Sequence, residues 1–525
     1  MTKISTGTGP ARGTLVLVAL ILAAGVANMN LSIANVALPD IAKGLDASQV
    51  GLNLVAVGFS LGLSISVLYL GALGDRYGRK GMLMAGLILG IPAAILAAVA
   101  PSVAVLLVAR LLGGIAAGMA YPTTLALITA LWTGSKRTSA IALWSALGAG
   151  LSALSPVLAG ALLTVAPWGW AFLIPIPFGI VALLLVMWAV PGKVNQDKDP
   201  VDHAGGALSA VFIGALVIAI NFAALDNQYL TVVISAAIAI IGGILFFWRQ
   251  KTTKYPLFDL SYAKRPTFWV AATAGIIVFG SLMGAMFVGM QYLQNVLGYG
   301  TLAAGLAILP CPIFMVIVAP YSSGMITRWG SRVTLLIGFA FSLIGFAMML
   351  AIWGLSSSYF TIGLAYAFVG IGVGIAGTPS SHALTDSVPV SKVGMASGTG
   401  DLQRDLGGAI MQSIMGAILG AGYAAALGRD IANAPANVQA QISEEMRAAL
   451  TKSFGSAADL ASKYPEYKTA VLQAARESFL VGANWAYASG IIAAILGAAL
   501  VWFFFPKRDR ERAMYREFGS EVDAS

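Results

Sequence analysis

The chain has 525 residues, of which 58% are hydrophobic and 10% charged, and its formal net charge is +9. A soluble domain needs roughly 25% charged residues to cover its surface. The composition therefore excludes a soluble protein and predicts that lipid surrounds most of the chain. The single cysteine excludes an internal disulfide, and the two histidines are too far apart in sequence for a zinc motif. We expect no metal and no cofactor.

Apolar stretches of about 20 residues, the length that a membrane-crossing helix needs, follow one another along the whole chain. They predict an all-α integral membrane protein with fourteen transmembrane helices. The predicted spans cover residues 13–38, 49–73, 81–100, 102–132, 138–164, 168–190, 206–225, 229–248, 268–296, 301–326, 333–354, 358–385, 395–427 and 477–505.

Lysine and arginine set the orientation, because cytoplasmic loops carry an excess of both. With the N-terminus inside, most of the 31 Lys and Arg residues fall in cytoplasmic segments, with clusters at 76–80 and 507–516. The outside holds Lys43 and the basic residues of a polar loop at 428–476. We therefore predict a multi-pass protein of the cell membrane with both termini in the cytoplasm. Its basic excess then faces anionic lipid headgroups and not nucleic acid.

Two sequence echoes predict internal symmetry. Residues 71–80 (Gly-Ala-Leu-Gly-Asp-Arg-Tyr-Gly-Arg-Lys) return in degraded form at 323–332 (Ser-Gly-Met-Ile-Thr-Arg-Trp-Gly-Ser-Arg), and the glycine-rich stretch 113–122 returns at 370–379. Paired echoes are typical of transporters built from related helix bundles. We predict two pseudo-symmetric six-helix bundles with an inserted helix pair. The predicted units are the N-terminal bundle 1–190, the loops and inserted helices 7 and 8 at 191–265, the C-terminal bundle 266–505 with its external loop 428–476, and a cytoplasmic tail 506–525.

The turn at 71–80 has the chemistry of a conformational gate. Its glycines allow helices to approach closely, and an aspartate at the end of a span can pair with arginines and hold one conformation shut. A plain arginine-rich turn is the alternative. The residues assigned to this gating motif are Gly71, Asp75, Arg76, Gly78, Arg79 and Lys80.

The gating motif resembles the signature loop of the major facilitator superfamily. Further segments resemble its fourteen-helix branch of drug:proton antiporters, which includes the quaternary-ammonium efflux proteins. These segments are Asn-Val-Ala-Leu-Pro-Asp-Ile at 35–41, Pro-Leu-Phe-Asp-Leu at 256–260, Tyr-Leu-Gln-Asn-Val-Leu-Gly-Tyr at 292–299, Ala-Gly-Leu-Ala-Ile-Leu-Pro at 304–310 and Arg-Asp-Leu-Gly-Gly-Ala at 404–409. The resemblance covers nearly the whole chain and implies proton-driven export.

Two spans carry further features of that branch. Arg110 matches its buried arginine in span 4, where a charge costs at least ~2.5 kcal/mol, so we assign it to the coupling network. An arginine that binds backbone carbonyls and locks helices together is the alternative. Span 5 resembles the antiporter signature, with Ser and Ala in place of two glycines. The residues of this helix-5 motif are Gly148, Ser155, Pro156 and Gly160.

Span 1 departs from the branch, because Asn30 stands where an aspartate is common. Span 13 instead carries Asp401, Arg404 and Asp405. A spacing of four residues places the two acids on one helix face. We therefore predict that span 13 carries the titrating carboxylate of proton coupling. A static cluster that only neutralises Arg404 is the alternative.

The leading function is proton-coupled export of hydrophobic or amphipathic, drug-like compounds by a monomer in contact with membrane lipids. Transport of a lipid or an endogenous metabolite, without proton coupling, is a second hypothesis, and a polytopic membrane enzyme or receptor is a third. No hydrolase or nucleotide-binding motif supports an enzyme. The polar residues predicted to line a substrate cavity between the bundles are Asn28, Asn30, Asn221, Gln291, Tyr366 and Gln412.

Overall fold

The computed structural model describes residues 10, 12–47, 49–192, 200–223, 228–435, 439 and 442–524. Over these ranges the chain forms helices joined by turns, without a β-strand. The start of the predicted first unit and most of the loop before span 7 lie outside the described residues.

Thirteen helical segments in these ranges are long and apolar enough to cross a membrane. The remaining predicted span, 138–164, corresponds to a helix of 30 residues, Gly134–Leu163. The predicted all-α membrane fold is therefore confirmed.

The N-terminal half forms one bundle, in which long apolar helices pack around small residues. Its helices are α1 (Gly13–Gly44), α2 (Gln49–Tyr77), α3 (Arg79–Ala98), α4 (Val103–Leu131), α5 (Gly134–Leu163) and α6 (Pro175–Ala189), with a short 3-10 helix at Trp168–Leu173 before α6. Helices α2 and α4 touch through Gly62 and Gly114. A Cβ on Gly114 would lie 2.1 Å from the carbonyl oxygen of Phe59, so only glycine permits this approach.

The C-terminal half forms a second bundle. Its helices are α10 (Pro266–Asn295), α11 (Thr301–Ile308), α12 (Pro310–Trp329), α13 (Ser331–Ile352), α14 (Tyr359–Asp386), α15 (Val393–Asn433) and α18 (Lys468–Phe504). The predicted span 301–326 is broken at Leu309, because prolines at 310 and 312 remove backbone donors. Helices α10 and α15 approach through Gly280 and Gly407, in the manner of α2 and α4.

Helices α7 (His203–Phe222) and α8 (Tyr229–Thr252) form the inserted pair, and a short helix α9 (Leu260–Ala263) follows. Helix α7 packs against α2 of one bundle and α15 of the other. At its start, the Tyr69 hydroxyl lies 2.6 Å from Nδ1 of His203. Near its end, the Ser413 hydroxyl donates to the carbonyl of Ile220 at 3.0 Å. The pair therefore lies along one flank of the seam between the bundles.

Two polar segments fold against the C-terminal bundle. In the 428–476 loop, α16 (Glu444–Lys452) and α17 (Phe454–Lys463) bury Leu450 and Ala457, and the Tyr423 hydroxyl of α15 donates to the carbonyl of Leu450 at 2.9 Å. Beyond α18, the tail forms the amphipathic helix α19 (Arg508–Ala524). Both segments are polar in sequence, but part of each is buried against the C-terminal bundle.

Candidate functional site

Three charged side chains of α15 lie between the two bundles. Asp401, Arg404 and Asp405 share one face of the helix, since residues three and four apart are neighbours. This face packs on α2 and α4 of the N-terminal bundle. The spacing in sequence predicted that the three residues share a face, and the structure shows that this face lies against the N-terminal bundle.

Asp405 is held by α2. The hydroxyl groups of Ser60 and Ser64 donate to its two carboxylate oxygens, one to each. Ser60 and Ser64 are one helical turn apart, which matches the two oxygens of a carboxylate. These serines were missed by sequence reasoning. Their spacing within an apolar helix was the available signal.

Arg404 extends into a group of aromatic rings from both bundles. Its Nη1 donates to the Tyr121 hydroxyl on α4. Its guanidinium carbon lies 5.4 Å from the ring centre of Tyr121, 4.8 Å from that of Trp144 and 4.9 Å from that of Phe279. Cations within about 6 Å of a ring face are attracted by its quadrupole. We call Tyr121, Trp144 and Phe279 the aromatic box.

Asp401 differs from Asp405 in its partners. Its side chain is 2% exposed, and neither carboxylate oxygen accepts a hydrogen bond from the residues that the structure describes. Nη1 of Arg404 lies 4.0 Å from Oδ1. A buried carboxylate without hydrogen bonds is costly when ionised, so Arg404 is the group that offsets its charge.

Asn28 of α1 contacts Tyr121 of the aromatic box. Its side-chain nitrogen donates to the Tyr121 hydroxyl at 3.4 Å and to the carbonyl of Gly148 at 3.3 Å. Of the residues predicted to line the cavity, Asn28 is therefore linked to Arg404 through a shared partner. Gln412 lies two turns further along α15 and is half-buried.

The helix-5 motif belongs to α5, which packs on α12 and α14 of the C-terminal bundle. Ser155 is buried, and Pro156 stands inside the helix. Beside them, a Cβ on Gly150 would lie 3.2 Å from a methyl group of Val316, whereas one on Gly160 would meet nothing within 4 Å. Helix α5, which carries the motif, thus borders the second flank of the seam.

Arg110 occupies a separate site inside the N-terminal bundle. Its Nη1 donates to the carbonyl of Asn30 at 2.7 Å, and its Nε donates to that of Val55 at 3.3 Å. The guanidinium carbon lies 4.9 Å from the ring centre of Phe59 and 5.8 Å from that of Phe172. Eleven residues of α4, about 16 Å, separate it from Tyr121. The structure does not bring Arg110 and the α15 charges together.

Four other predicted cavity residues have local partners. The side-chain amides of Asn30, Asn221 and Gln291 each donate to the carbonyl four residues earlier in the same helix, at 2.9, 2.8 and 3.4 Å. Tyr366 is buried within the C-terminal bundle, 5.4 Å from Trp353 between ring centres. Asn30 lines cavities inside the N-terminal bundle. Their part in substrate binding stays a prediction.

The gating motif ties the bundles together at one end of the molecule, which we call the motif end. Asp75 accepts from Nε of Arg79 at 2.8 Å and from the backbone nitrogen of Gly394, at the start of α15, at 2.7 Å. Nη2 of Arg79 donates to the carbonyl of Val390 at 2.5 Å. A Cβ on Gly71 would lie 3.0 Å from the carbonyl oxygen of Gly394. The side chains of Asp75 and Arg79 are buried, so the two bundles are closed against each other at the motif end.

The rest of the motif shapes the turn. Gly78 has φ of 119°, a conformation that favours glycine, and it precedes α3. Lys80 donates to the carbonyls of Met187 and Val190 at the end of α6, at 2.9 and 2.7 Å. Arg76 lies over the Tyr77 ring.

A second contact closes the motif end. Arg137 of α5 forms an ion pair with Asp386 of α14, and Nε2 of His382 lies 3.3 Å from the same carboxylate. Sequence reasoning did not single out Asp386, because nothing in its own segment indicates a partner 249 residues away.

Two helical bundles with buried charges at their interface define a membrane transporter. The chain belongs to the Major Facilitator Superfamily, whose sequence profile matches residues 20–412. It is 32% identical over 382 residues to the multidrug resistance protein Stp of Mycobacterium tuberculosis (72% of this chain and 70% of Stp) and 30% identical over 477 residues to the multidrug efflux pump LfrA of Mycolicibacterium smegmatis (90% and 93%). The solved proton:xylose symporter XylE superposes with a TM-score of 0.58 at 12% identity, covering 96% of this chain and 98% of XylE.

Proposed function

We propose that this transporter exports hydrophobic or amphipathic, drug-like compounds in exchange for protons, through alternating access of a site between its two bundles. The names of Stp and LfrA support drug export. It acts as a monomer in the cell membrane, with both termini in the cytoplasm. The observation that carries the proposal is the cluster of Asp401, Arg404 and Asp405 on α15, in which Asp401 is buried and the other two are bonded to the N-terminal bundle.

The cluster suits exchange because of its charge. With both acids ionised, its three side chains have a formal charge of −1, and one bound proton brings this to zero. A cationic compound and a proton then compete for the same negative charge. Competition for one site is what an exchanger requires, since a ligand shifts an equilibrium only through its differential affinity for the two states.

The two acids have different tasks in this scheme. Among the described residues, Arg404 is the one group that offsets the charge of Asp401, so proton uptake there removes a buried charge that is weakly compensated. Asp405 is bonded to Ser60 and Ser64 of the other bundle, so its contacts break when the bundles separate. The residue that binds the proton, Asp401, is therefore one helical turn from the residue that holds the bundles together, Asp405.

The aromatic box gives the site its affinity for amphipathic compounds. In this conformation the guanidinium of Arg404 occupies the box, bonded to Tyr121. When Arg404 turns toward an ionised Asp401, the rings of Tyr121, Trp144 and Phe279 become free to contact a substrate. Aromatic faces bind both apolar groups and organic cations.

The test is transport in proteoliposomes that contain only this protein, driven by an imposed pH gradient, with a fluorescent lipophilic cation as the substrate. We expect Asp401→Asn and Asp405→Asn, singly and together, to abolish the response to the gradient while the proteins remain folded. Asp202→Asn is the matched control, because Asp202 is a buried carboxylate paired with Arg249 in the inserted helices, far from the cluster in sequence. A double mutant that still responds like the parent would contradict the coupling assignment. A parent that moves no cation would contradict the export proposal.

A further inference from the structure

The second copy of the gating motif has lost its acid. In the frame that aligns 71–80 with 323–332, Thr327 takes the place of Asp75. The turn geometry is nevertheless retained, because Gly78 and Gly330 both have positive φ (119° and 84°) and both immediately precede a helix. The hydroxyl of Thr327 donates to the carbonyl of Gly324 in its own helix. It therefore does not replace the aspartate.

The tail helix α19 brings a carboxylate to this turn. Oε2 of Glu511 accepts a hydrogen bond from the backbone nitrogen of Ser331, the first residue of α13, at 3.1 Å. Glu511 is 3% exposed. A Cβ on Gly330 would lie 3.0 Å from this oxygen, so the glycine makes room for the carboxylate. A negative charge at a helix N-terminus is stabilised by the helix dipole.

Basic residues of α19 bind the other side of the same turn. Arg508 and Arg512 each donate to the carbonyl of Thr327, at the end of α12, at 3.3 and 2.6 Å. Cations at a helix C-terminus complement the dipole. Further along, the guanidinium carbon of Arg265, which precedes α10, lies 3.6 Å from the ring centre of Phe518. The tail is thus fixed to three helices of the C-terminal bundle.

The docked tail also contacts the histidine that lies beside the ion pair joining the bundles. The Tyr515 ring packs edge-on against His382, with 6.3 Å between ring centres. His382 lies beside Asp386, which pairs with Arg137 of α5. Burial raises the pKa of Glu511 above its usual range, and the charge of Asp386 acts in the same direction. The tail and the inter-bundle pair are therefore coupled by both contact and charge.

We propose that the tail helix is a working part of the gate: Glu511 supplies the carboxylate that the second copy of the gating motif has lost, and the docked tail positions His382 and Asp386 to hold Arg137. Glu511 is a positioning residue that stabilises the conformation closed at the motif end. The role concerns the transport cycle of the proposed exporter, but it does not depend on which compound is exported.

The test measures the motif end directly, without substrate or gradient. In a Cys311→Ser background, Tyr77→Cys on α2 and Tyr321→Cys on α12 provide exposed labelling sites, one on each bundle. Electron–electron resonance distances between spin labels there report the ratio of closed to open molecules. Because Gln keeps an acceptor oxygen for Ser331 but removes the negative charge that the N-terminus of α13 stabilises, we expect Glu511→Gln to lower that ratio roughly threefold to tenfold. Asp509→Asn, an exposed acid of the same helix, is the matched control and leaves the ratio unchanged.

A rescue variant separates the proposal from a general loss of packing. Thr327→Asp restores an acid at the position equivalent to Asp75, and in the Glu511→Gln protein it returns the ratio toward that of the parent. If Glu511→Gln does not fold, Arg512→Gln loosens the same turn and shifts the ratio in the same direction. An unchanged ratio in the folded variant, or no rescue by Thr327→Asp, would overturn the proposal. Failure of cation export in proteoliposomes would leave these distances unaffected, so the two proposals fail separately.

Discussion

Arg110 and Arg404 both lie within membrane-spanning helices, the first buried and the second half-buried, and their surroundings differ. The polar contacts of Arg110 are backbone carbonyls of α1 and α2, and the rings beside it belong to the same bundle. Arg404 contacts a hydroxyl, three rings and a carboxylate, and the first of these lies on the opposite bundle. Backbone carbonyls cannot change their charge, whereas a carboxylate can. Arg404 therefore joins a carboxylate of its own helix to side chains of the opposite bundle, whereas Arg110 is bound by groups that neither titrate nor belong to the other bundle.

The largest effect on stability is expected from Arg110→Ala. It leaves a cavity between Phe59 and Phe172 and removes two hydrogen bonds between helices, which together cost about 3 kcal/mol. Thermal unfolding in detergent, followed by the emission of buried tryptophans, measures the loss. Arg404→Ala is the matched control, with a smaller shift of the midpoint. Equal midpoints for both variants would remove the distinction between the two arginines.

A transport defect with little loss of stability is expected from Arg404→Lys. Lysine keeps the charge, but its ammonium group cannot stack on the rings of the aromatic box while it donates a hydrogen bond to Tyr121. We expect gradient-driven export to fall about tenfold to a hundredfold, equivalent to about 1.4–2.7 kcal/mol. Initial rates in proteoliposomes measure it, with Arg110→Lys as the comparison. Export unchanged in Arg404→Lys would mean that the cluster needs only a positive charge at this position.

The smallest effect is expected from the serines that bind Asp405. Ser60→Ala and Ser64→Ala each remove one hydrogen bond to a carboxylate, worth about 1.5 kcal/mol when the carboxylate is ionised. Because ionised Asp405 loses its donors, the cluster of two acids takes up its one proton more easily, and the pH at which export is half-maximal shifts upward. Ser66→Ala is the control, since the Ser66 hydroxyl donates within its own helix. A downward shift, or an equal shift in the control, would contradict the role of these serines.

The features that could be predicted from the sequence are those set by residues close together along the chain. Apolar length predicted the spans, and the spacing of Asp401 and Asp405 predicted their shared face. Their partners could not be predicted, because Ser60 and Tyr121 lie 345 and 283 residues from the groups they bind. No local pattern specifies which helix packs on α15.

The cavity residues illustrate the opposite limit. An amide side chain in an apolar helix suggests a ligand site. The amides of Asn221 and Gln291, however, donate hydrogen bonds to backbone carbonyls of their own helices. Local and distant partners satisfy a buried amide equally well, so residue type alone does not distinguish them. The lengths of some helices were also underestimated. The helix α18 begins at Lys468 and not near 477, because its polar first turns pack on α17.

The inserted helix pair makes the two flanks of the transporter unequal toward the bilayer. On one flank, an acyl chain first meets α8, with its exposed Ile240 and Ile244, and the seam lies behind α7. On the other flank, α5 and α12 border the seam directly and expose Leu158 and Ile317 to the same lipid. In the part of the chain that the structure describes, the seam is therefore covered by an additional helix pair on one flank and by the two bundles alone on the other.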